Sequence, residues 1–222
     1  MKRALRAATI LGLTATFWSC AKSDAPAPNS ATGCAEFVSI PVTAHSLGAA
    51  DIAAANKLFS SSGIDNRTFR YVRYERSPFE TYYPPYTTYD EQVVGIQEYA
   101  NGLPIFTAVS NFVFWNGRFH GRIGQSTAGT SLTASPGLTL VEVRNLFFAS
   151  MEQFDRAANA DSDQCVTAEF GYYDLGAGTS NAPENLVKAW KVTRKDAQYP
   201  FAYYEDNGGK LIYYDNGIRT FR

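Results

Sequence analysis

Residues 185–221 read NLVKAWKVTRKDAQYPFAYYEDNGGKLIYYDNGIRTF. Three runs, at 186–192, 201–204 and 210–214, are rich in aromatic and β-branched residues, which is typical of β-strands. The segment between the last two runs contains Asn and Gly, which tolerate the positive φ of tight hairpins. The stretch therefore predicts an antiparallel meander with one buried side and one side facing water.

Two segments upstream of this meander predict helices. Residues 47–62 place apolar side chains on one face, and Ser46 is a candidate N-cap. Residues 140–158 predict a second helix, because Thr139 and Glu142 have the spacing of a capping box. The apolar faces of the two helices are then expected to pack on sheets; they comprise Ile52, Ala55, Leu58 and Phe59 in the first and Val143, Leu146, Phe147, Met151 and Phe154 in the second.

Strand signals follow each predicted helix. The order helix, strand, loop and hairpin occurs twice, and a segment rich in Gly, Ser and Thr at 125–137 separates the two copies. We therefore predict an α+β fold made of two tandem helix-plus-antiparallel-sheet units, residues 34–124 and 138–222, joined by a linker at 125–137. The first copy contributes predicted strands at 35–42, 69–74, 92–99, 103–108, 111–115 and 118–123, and the second begins with a strand at 165–173.

Three motifs in the meander carry a family resemblance: AWKV at 189–192, YPFAY at 199–203 and GKLIY at 209–213. They resemble the C-terminal half of a PepSY-type domain, a family named for peptidase propeptides that recurs in bacterial envelope proteins. The segment YANGLPIF at 99–106 resembles the signature of related propeptide domains, which makes the first unit a diverged copy. The resemblance implies a protein that binds or restrains a peptidase or another exported polypeptide.

The N-terminus has the pattern of an export signal. Basic residues precede an apolar run at 7–18 that is too short to span a bilayer, and a small residue then precedes Cys20. This pattern resembles a bacterial lipoprotein signal, and the Lys-Ser-Asp after Cys20 resembles lipoproteins of the Bacteroidota type. We expect a signal peptide at 1–19, a lipid on Cys20, a flexible tether at 20–33 and anchoring to the outer membrane, periplasmic or surface-exposed; an ordinary cleaved signal peptide is the alternative.

Lipidation of Cys20 would leave Cys34 and Cys165 as a pair. Because an exported chain lies in a compartment that permits disulfides, we expect these two to be bridged, with two buried free thiols as the alternative. His45 and His120 have no ligand spacing to a cysteine, so the sequence gives no support for a zinc site.

The tyrosine-rich and proline-rich stretch PFETYYPPYTTY at 78–89 is a predicted loop. Tyrosine gives a large contact area at low entropic cost, so Tyr82, Tyr83, Tyr86 and Tyr89 are a candidate binding surface. The alternative, which is the more ordinary fate of such side chains, is a loop that folds back so that its tyrosines cover the sheet.

Charged groups give little sign of a reaction centre. The net charge is −1 and no basic run exists, which argues against nucleic-acid binding. No hydrolase or phosphate-loop motif is present, and His120 has no evident nucleophile beside it. Glu205 and Asp206 could bind a cation but are more simply a solvated turn. A basic patch of Arg118, Arg122, Arg194 and Lys195 is more simply explained by ion pairs at the surface.

These observations favour a binding protein over an enzyme. We expect a non-enzymatic envelope lipoprotein that holds an exported polypeptide, with no cofactor, metal or small-molecule substrate. The alternative is a structural or assembly component of the outer envelope that has no peptidase partner.

Overall fold

The computed structural model describes residues 34–155, 164–179 and 182–218; the signal peptide, Cys20 and the tether lie outside them. The described residues form nine strands and two helices. In chain order these are β1 (Ala35–Val38), α1 (Ala49–Ser61), β2 (Phe69–Glu80), β3 (Thr88–Ala100), β4 (Leu103–Trp115), β5 (Arg118–Gly124), α2 (Leu140–Phe154), β6 (Val166–Asp174), β7 (Leu186–Arg194), β8 (Phe201–Glu205) and β9 (Leu211–Asp215).

All nine strands belong to one mixed sheet. Its main path is β2-β3-β4-β6-β7-β8-β9, with β5 paired to β4 and β1 paired to β6. The β1–β6 and β4–β6 pairs are parallel and the others are antiparallel. The prediction of two tandem units with separate antiparallel sheets is therefore wrong, although the predicted meander forms as β7, β8 and β9.

The first reason for the continuous sheet is the junction between β4 and β6, where Ile105 pairs with Tyr172. The backbones approach so closely beside this pair that a Cβ at Gly171 would lie 2.4 Å from the carbonyl oxygen of Pro104. Only glycine leaves room for that approach, so one residue in β6 allows the two halves of the sheet to join.

The second reason is that the 125–137 segment is bonded to both halves and is not a free linker. Thr127 donates its backbone N–H and its hydroxyl to the Glu98 carboxylate at 3.1 and 3.2 Å. The Tyr172 hydroxyl donates to the Leu132 carbonyl at 3.2 Å, and the Gly137 N–H donates to a carboxylate at the β8–β9 turn. These bonds fix the segment along the sheet, so no loose connection separates two units.

The buried core is also continuous along the sheet. α1 covers one group of buried side chains on β2, β3 and β4, and α2 covers another on β6, β7 and β8. A small cluster of Ile105, Ala108 and Tyr172 lies at the junction between the two groups. The opposite face of the sheet carries neither of the two described helices.

Cys34 and Cys165 lie immediately before the parallel strands β1 and β6, at disulfide-bonding distance, with their Cα atoms 4.4 Å apart. The Val166 N–H also donates to the Cys34 carbonyl at 3.0 Å. The bridge would hold the start of β1 against β6 across 131 residues of sequence.

The helix starts show one correct and one wrong cap prediction. The capping box is confirmed: the Glu142 N–H donates to the Thr139 hydroxyl, and the Glu142 carboxylate accepts from the Thr139 N–H. Ser46 is not an N-cap, because α1 begins after Gly48 and has no side-chain cap. The Ser46 hydroxyl instead accepts a hydrogen bond from Arg70 on β2.

We expect Thr139→Ala to lower the free energy of unfolding by about 1 kcal/mol, because it removes the acceptor for one free backbone N–H. Ser46→Ala is the matched control and should change stability by no more than about 0.5 kcal/mol, since Ser46 and its hydrogen bond to Arg70 are exposed. Chemical denaturation followed by far-ultraviolet circular dichroism measures both. Equal losses would contradict the assignment of the caps.

Candidate functional site

The hairpin formed by β2 and β3 ends in a tip of exposed tyrosines. Both strands run into the 78–89 stretch, so only residues 81–87 remain as a loop. Tyr82, Tyr83 and Tyr86 are 83%, 82% and 66% exposed. The alternative in which these tyrosines cover the sheet is therefore wrong for the three of them. We call these three residues the hairpin tip.

Tyr89 has a different position, because it stacks on Trp115 with ring centroids 4.7 Å apart. Phe79 also stacks on Trp115, at 5.3 Å, and the His120 ring stacks on it at 3.3 Å. Phe79, Tyr89, Trp115 and His120 stand on the four adjacent strands β2, β3, β4 and β5. We call this group the aromatic row.

Strand register explains why the row forms. Phe79 pairs with Tyr89 across β2 and β3, and Trp115 pairs with Glu91, two residues further along β3. Side chains two residues apart on a strand share a face, so these residues lie on one side of the sheet. That side is the one opposite α1, because the preceding residue on β4, Phe114, belongs to the core that α1 covers.

A β-bulge adds the last member of the row. Phe114 pairs with Phe119 while Val113 pairs with Gly121, so His120 is an extra residue on β5. Bulges commonly redirect a side chain, and here the His120 ring lies against Trp115. The row therefore extends to the edge of the sheet.

Polar contacts hold the base of the hairpin in place. The Trp115 indole donates to the Glu91 carboxylate at 3.0 Å, and Arg76 forms a two-bond ion pair with Asp90. Asp90 and Asn116 exchange hydrogen bonds through their backbone N–H groups, each 2.9 Å long. The predicted Asn116-Gly117 turn is confirmed by positive φ at both residues, so a tight β4–β5 turn abuts the hairpin.

Two open clefts flank Tyr89. The larger, of about 500 Å³, is lined by Tyr89, Trp115, Asn116, Arg118, Phe119 and His120. The second, of about 440 Å³, is lined by Arg76, Ser77, Pro78, Thr88, Tyr89 and Asp90. The hairpin tip, the aromatic row and the clefts together form one end of the sheet, which we call the aromatic end.

A second aromatic group lies on the uncovered face near the junction. Tyr203 on β8 contacts Phe106 at 5.2 Å and Tyr173 at 5.0 Å between ring centroids. Burial, and then the neighbouring Tyr173 and Glu169, raise the pKa of Tyr203 well above its ordinary value. Burial also raises the pKa of Glu169, against the effects of Lys191 and Arg70. This group is tightly packed, and the aromatic end is the more accessible surface.

The histidines have structural contacts. His45 does not cap a helix; its Nδ1 accepts the Tyr71 N–H at 3.0 Å, and its ring stacks on Tyr71. Burial, and then the charge of Arg70, lower the pKa of His45. His120 belongs to the aromatic row.

The four basic residues considered as a patch do not assemble, and two of them form ion pairs. Lys195 pairs with Glu36 on β1, and Arg122 pairs with the buried Glu98. Arg118 lies in the larger cleft at the aromatic end, whereas Arg194 ends β7. The four residues therefore have separate environments.

Asp206 is not a solvated turn residue. Its side chain is 1% exposed, and it accepts hydrogen bonds from the Gly137 and Leu138 N–H groups and the Trp190 indole. Lys188 pairs with it at 3.0 Å. Burial alone raises the pKa of Asp206, but these bonds outweigh burial and hold the pKa below its ordinary value. Within the described residues, no group of three or more His, Cys, Asp or Glu side chains could hold a metal ion.

A search with known protein-family models and a search of curated proteins find no match for this sequence. The PepSY resemblance thus depends on the quoted motifs alone. In the described ranges, neither helix is long and apolar enough to cross a membrane.

Proposed function

We propose that this protein is a non-enzymatic component of the cell envelope that holds an extended, exported polypeptide at its aromatic end. The main support for this proposal is the hairpin tip, where three tyrosines are exposed. The stacked rings of the aromatic row hold the base of the same hairpin. Tyrosine is enriched among the residues that contribute most to protein interfaces, since it offers large area and a hydroxyl with few rotatable bonds.

The edge of the sheet beside the row supports an extended ligand. β5 pairs with β4 only, and its other edge bonds to no strand in the described part of the chain. A peptide that adds to a free edge gains main-chain hydrogen bonds, while alternate side chains find surface pockets. The larger cleft lies where β5 begins, so edge and cleft are available to the same peptide.

The position of the aromatic end suits a protein tethered at its N-terminus. Cys34 lies at the start of β1, which runs parallel to β6. Ile105 of β4 pairs with Tyr172 near the end of β6, so β4 continues away from Cys34 toward Trp115. At about 3.3 Å per residue, Trp115 lies on the order of 40–50 Å along the strands from Cys34. A lipid on Cys20 would therefore attach the protein through the segment before Cys34, at the end of the sheet opposite the aromatic end.

The test is a selection of random peptides of about 12 residues, long enough to pair along an edge strand. The bait is the chain from residue 21, and the counter-selection bait is Tyr82→Ser, Tyr83→Ser and Tyr86→Ser combined. We expect peptides that bind the first bait and not the second. The free energy of unfolding of the triple variant should lie within about 0.5 kcal/mol of that of the parent, because the replaced side chains are exposed.

The informative control in this selection is Tyr213→Ser, which removes a tyrosine exposed to 43% on β9, away from the hairpin. It should retain the peptides selected on the parent. Peptides that bind all three proteins alike, or the absence of any enriched peptide, would contradict the proposed function.

A further inference from the structure

We propose that the larger cleft binds a carboxylate side chain, so that the polypeptide held at the aromatic end is an acidic segment; this inference rests on the proposed function. The cleft combines the aromatic rings of Tyr89 and Trp115 with nitrogen-bearing side chains from Asn116, Arg118 and His120. Such a combination accepts a short apolar stem that ends in a negative group.

Arg118 supplies the charge. Among the described residues its guanidinium makes no ion pair and no hydrogen bond, in contrast to Arg67, Arg73 and Arg76, which all pair with carboxylates. A guanidinium presents its donors in a planar fork that matches a carboxylate. Within the described part of the chain, Arg118 is thus a cation in the lining of the cleft that has no intramolecular partner.

Two carboxylates belong to residues that bond to the lining of the cleft, Glu91 and Asp90, and both already have partners. Glu91 accepts the Trp115 indole N–H, and Asp90 is paired with Arg76 on the far side of Tyr89. Among the described residues neither forms an ion pair with Arg118, so its guanidinium is available to a ligand. A ligand that brings a negative group is complementary to it, and one that brings a lysine is repelled.

The edge of β5 favours a polypeptide as the source of the carboxylate. Arg118 and Ile123 both lie on the uncovered face of β5, since they pair with Trp115 and Asn111 of the same face of β4. Ile123 is 67% exposed. An extended chain along this edge would place an acidic side chain at Arg118 and an apolar one at Ile123, roughly 13 Å apart, because their partners on β4 are four residues apart and His120 is the extra residue of the bulge.

The peptide selection described above tests this inference, with two further baits, Arg118→Gln and Arg67→Gln. Arg67 is a matched control because it is exposed and paired with Asp65 on the α1–β2 connection. We expect peptides selected on the parent and on Arg67→Gln to be enriched in Asp and Glu, and peptides selected on Arg118→Gln to lose that enrichment.

An enriched peptide and its Glu→Gln counterpart are then titrated against the parent and Arg118→Gln, with Trp115 fluorescence as the readout. Replacing either partner should weaken binding by about three- to tenfold, and replacing both should add little more, as for a partly exposed ion pair. Trp190 is 1% exposed, so its contribution to the total fluorescence should not change on binding.

The outcomes separate the inference from the function. Tyrosine-dependent peptides without acidic enrichment would overturn the acidic site and leave polypeptide binding intact. If the parent selects no tyrosine-dependent peptide, both fail. A third outcome is that polygalacturonate binds and that its binding depends on Arg118, whereas acidic peptides do not bind. That result would overturn the inference in favour of an acidic polysaccharide.

Discussion

Asp206→Ala should lower the free energy of unfolding by about 4 kcal/mol, within the 3–5 kcal/mol typical of removing one member of a buried charged network. The side chain is buried, and its loss would leave the Gly137 and Leu138 N–H groups and the Trp190 indole without an acceptor. Those groups join the 125–137 segment and β7 to the β8–β9 turn. Urea denaturation followed by fluorescence measures the loss.

Glu205→Gln is the matched control for this variant. Glu205 precedes Asp206 but pairs at 3.5 Å with Lys210, whose side chain is 75% exposed. Exposed pairs contribute at most about 1 kcal/mol, so this substitution should have little effect. Similar losses for the two variants would show that Asp206 does not have the role assigned to it.

The same carboxylate gives a pH dependence whose sign follows from its lowered pKa. A group whose folded-state pKa lies below its unfolded value stabilises the fold above the unfolded value, about 3.9 for Asp. That contribution is lost as the pH falls through the folded pKa. The stability difference between the parent and Asp206→Asn should therefore shrink between about pH 6 and about pH 3. A difference that stays constant over this range would contradict the assignment.

Gly171→Ala is expected to cost about 3 kcal/mol, because the new Cβ would meet the Pro104 carbonyl at 2.4 Å and the Phe106 ring at 2.9 Å. A backbone oxygen cannot move aside as a flexible side chain can, so β4 and β6 must separate at their junction. Thermal and chemical unfolding should both show the loss. Hydrogen exchange should in addition be faster at Ile105 and Tyr172.

Gly121→Ala controls for the general effect of replacing a strand glycine. Gly121 lies in β5, and a Cβ there would meet nothing within 4 Å. Its effect should be within about 0.5 kcal/mol of zero. If Gly171→Ala is as mild as Gly121→Ala, the close approach of β4 and β6 is not a feature of the folded protein.

Features that depend on residues close together in the sequence could be predicted. The capping box at Thr139 depends on two residues three positions apart, and the Asn116-Gly117 turn depends on two adjacent residues that accept positive φ. The strands of the meander were recognisable for the same reason. The Ser46 cap was wrong because its hydroxyl bonds to Arg70, 24 residues away, instead of to the helix.

The joining of the two halves could not be predicted, because it depends on contacts distant in sequence. Gly171 in a strand could indicate a bulge, a bend or a close approach, and only its position beside Pro104 decides among these. Asp206 in a Glu-Asp-Asn-Gly-Gly turn has the appearance of a solvated residue, yet its partners lie up to 69 residues away. The composition of residues 125–137 likewise indicates a linker, because the residues that bond to this segment are distant in sequence.

The sequence alone indicates only part of the candidate site. Tyr82, Tyr83 and Tyr86 stand out by composition. Trp115 and His120 do not, since each reads as an ordinary strand residue, and Phe79 falls in the predicted loop although it belongs to β2. One signal was available: a hairpin across 81–87 pairs Phe79 with Tyr89, and the Asn116-Gly117 turn pairs Trp115 with Arg118. The pairing of β3 with β4 and the bulge at His120 complete the aromatic row, and neither follows from local sequence.

Site-specific photo-crosslinking in the native envelope provides a direct test of polypeptide binding at the aromatic end. A benzophenone amino acid replaces Tyr83 at the hairpin tip or, as a control, Leu175, which is 38% exposed on the β6–β7 connection. The account predicts a discrete crosslinked polypeptide from position 83 that is absent from position 175 and is lost when Tyr82 and Tyr86 are also replaced by Ser. Equal crosslinking at the two positions, or none at position 83, would contradict polypeptide binding at the aromatic end.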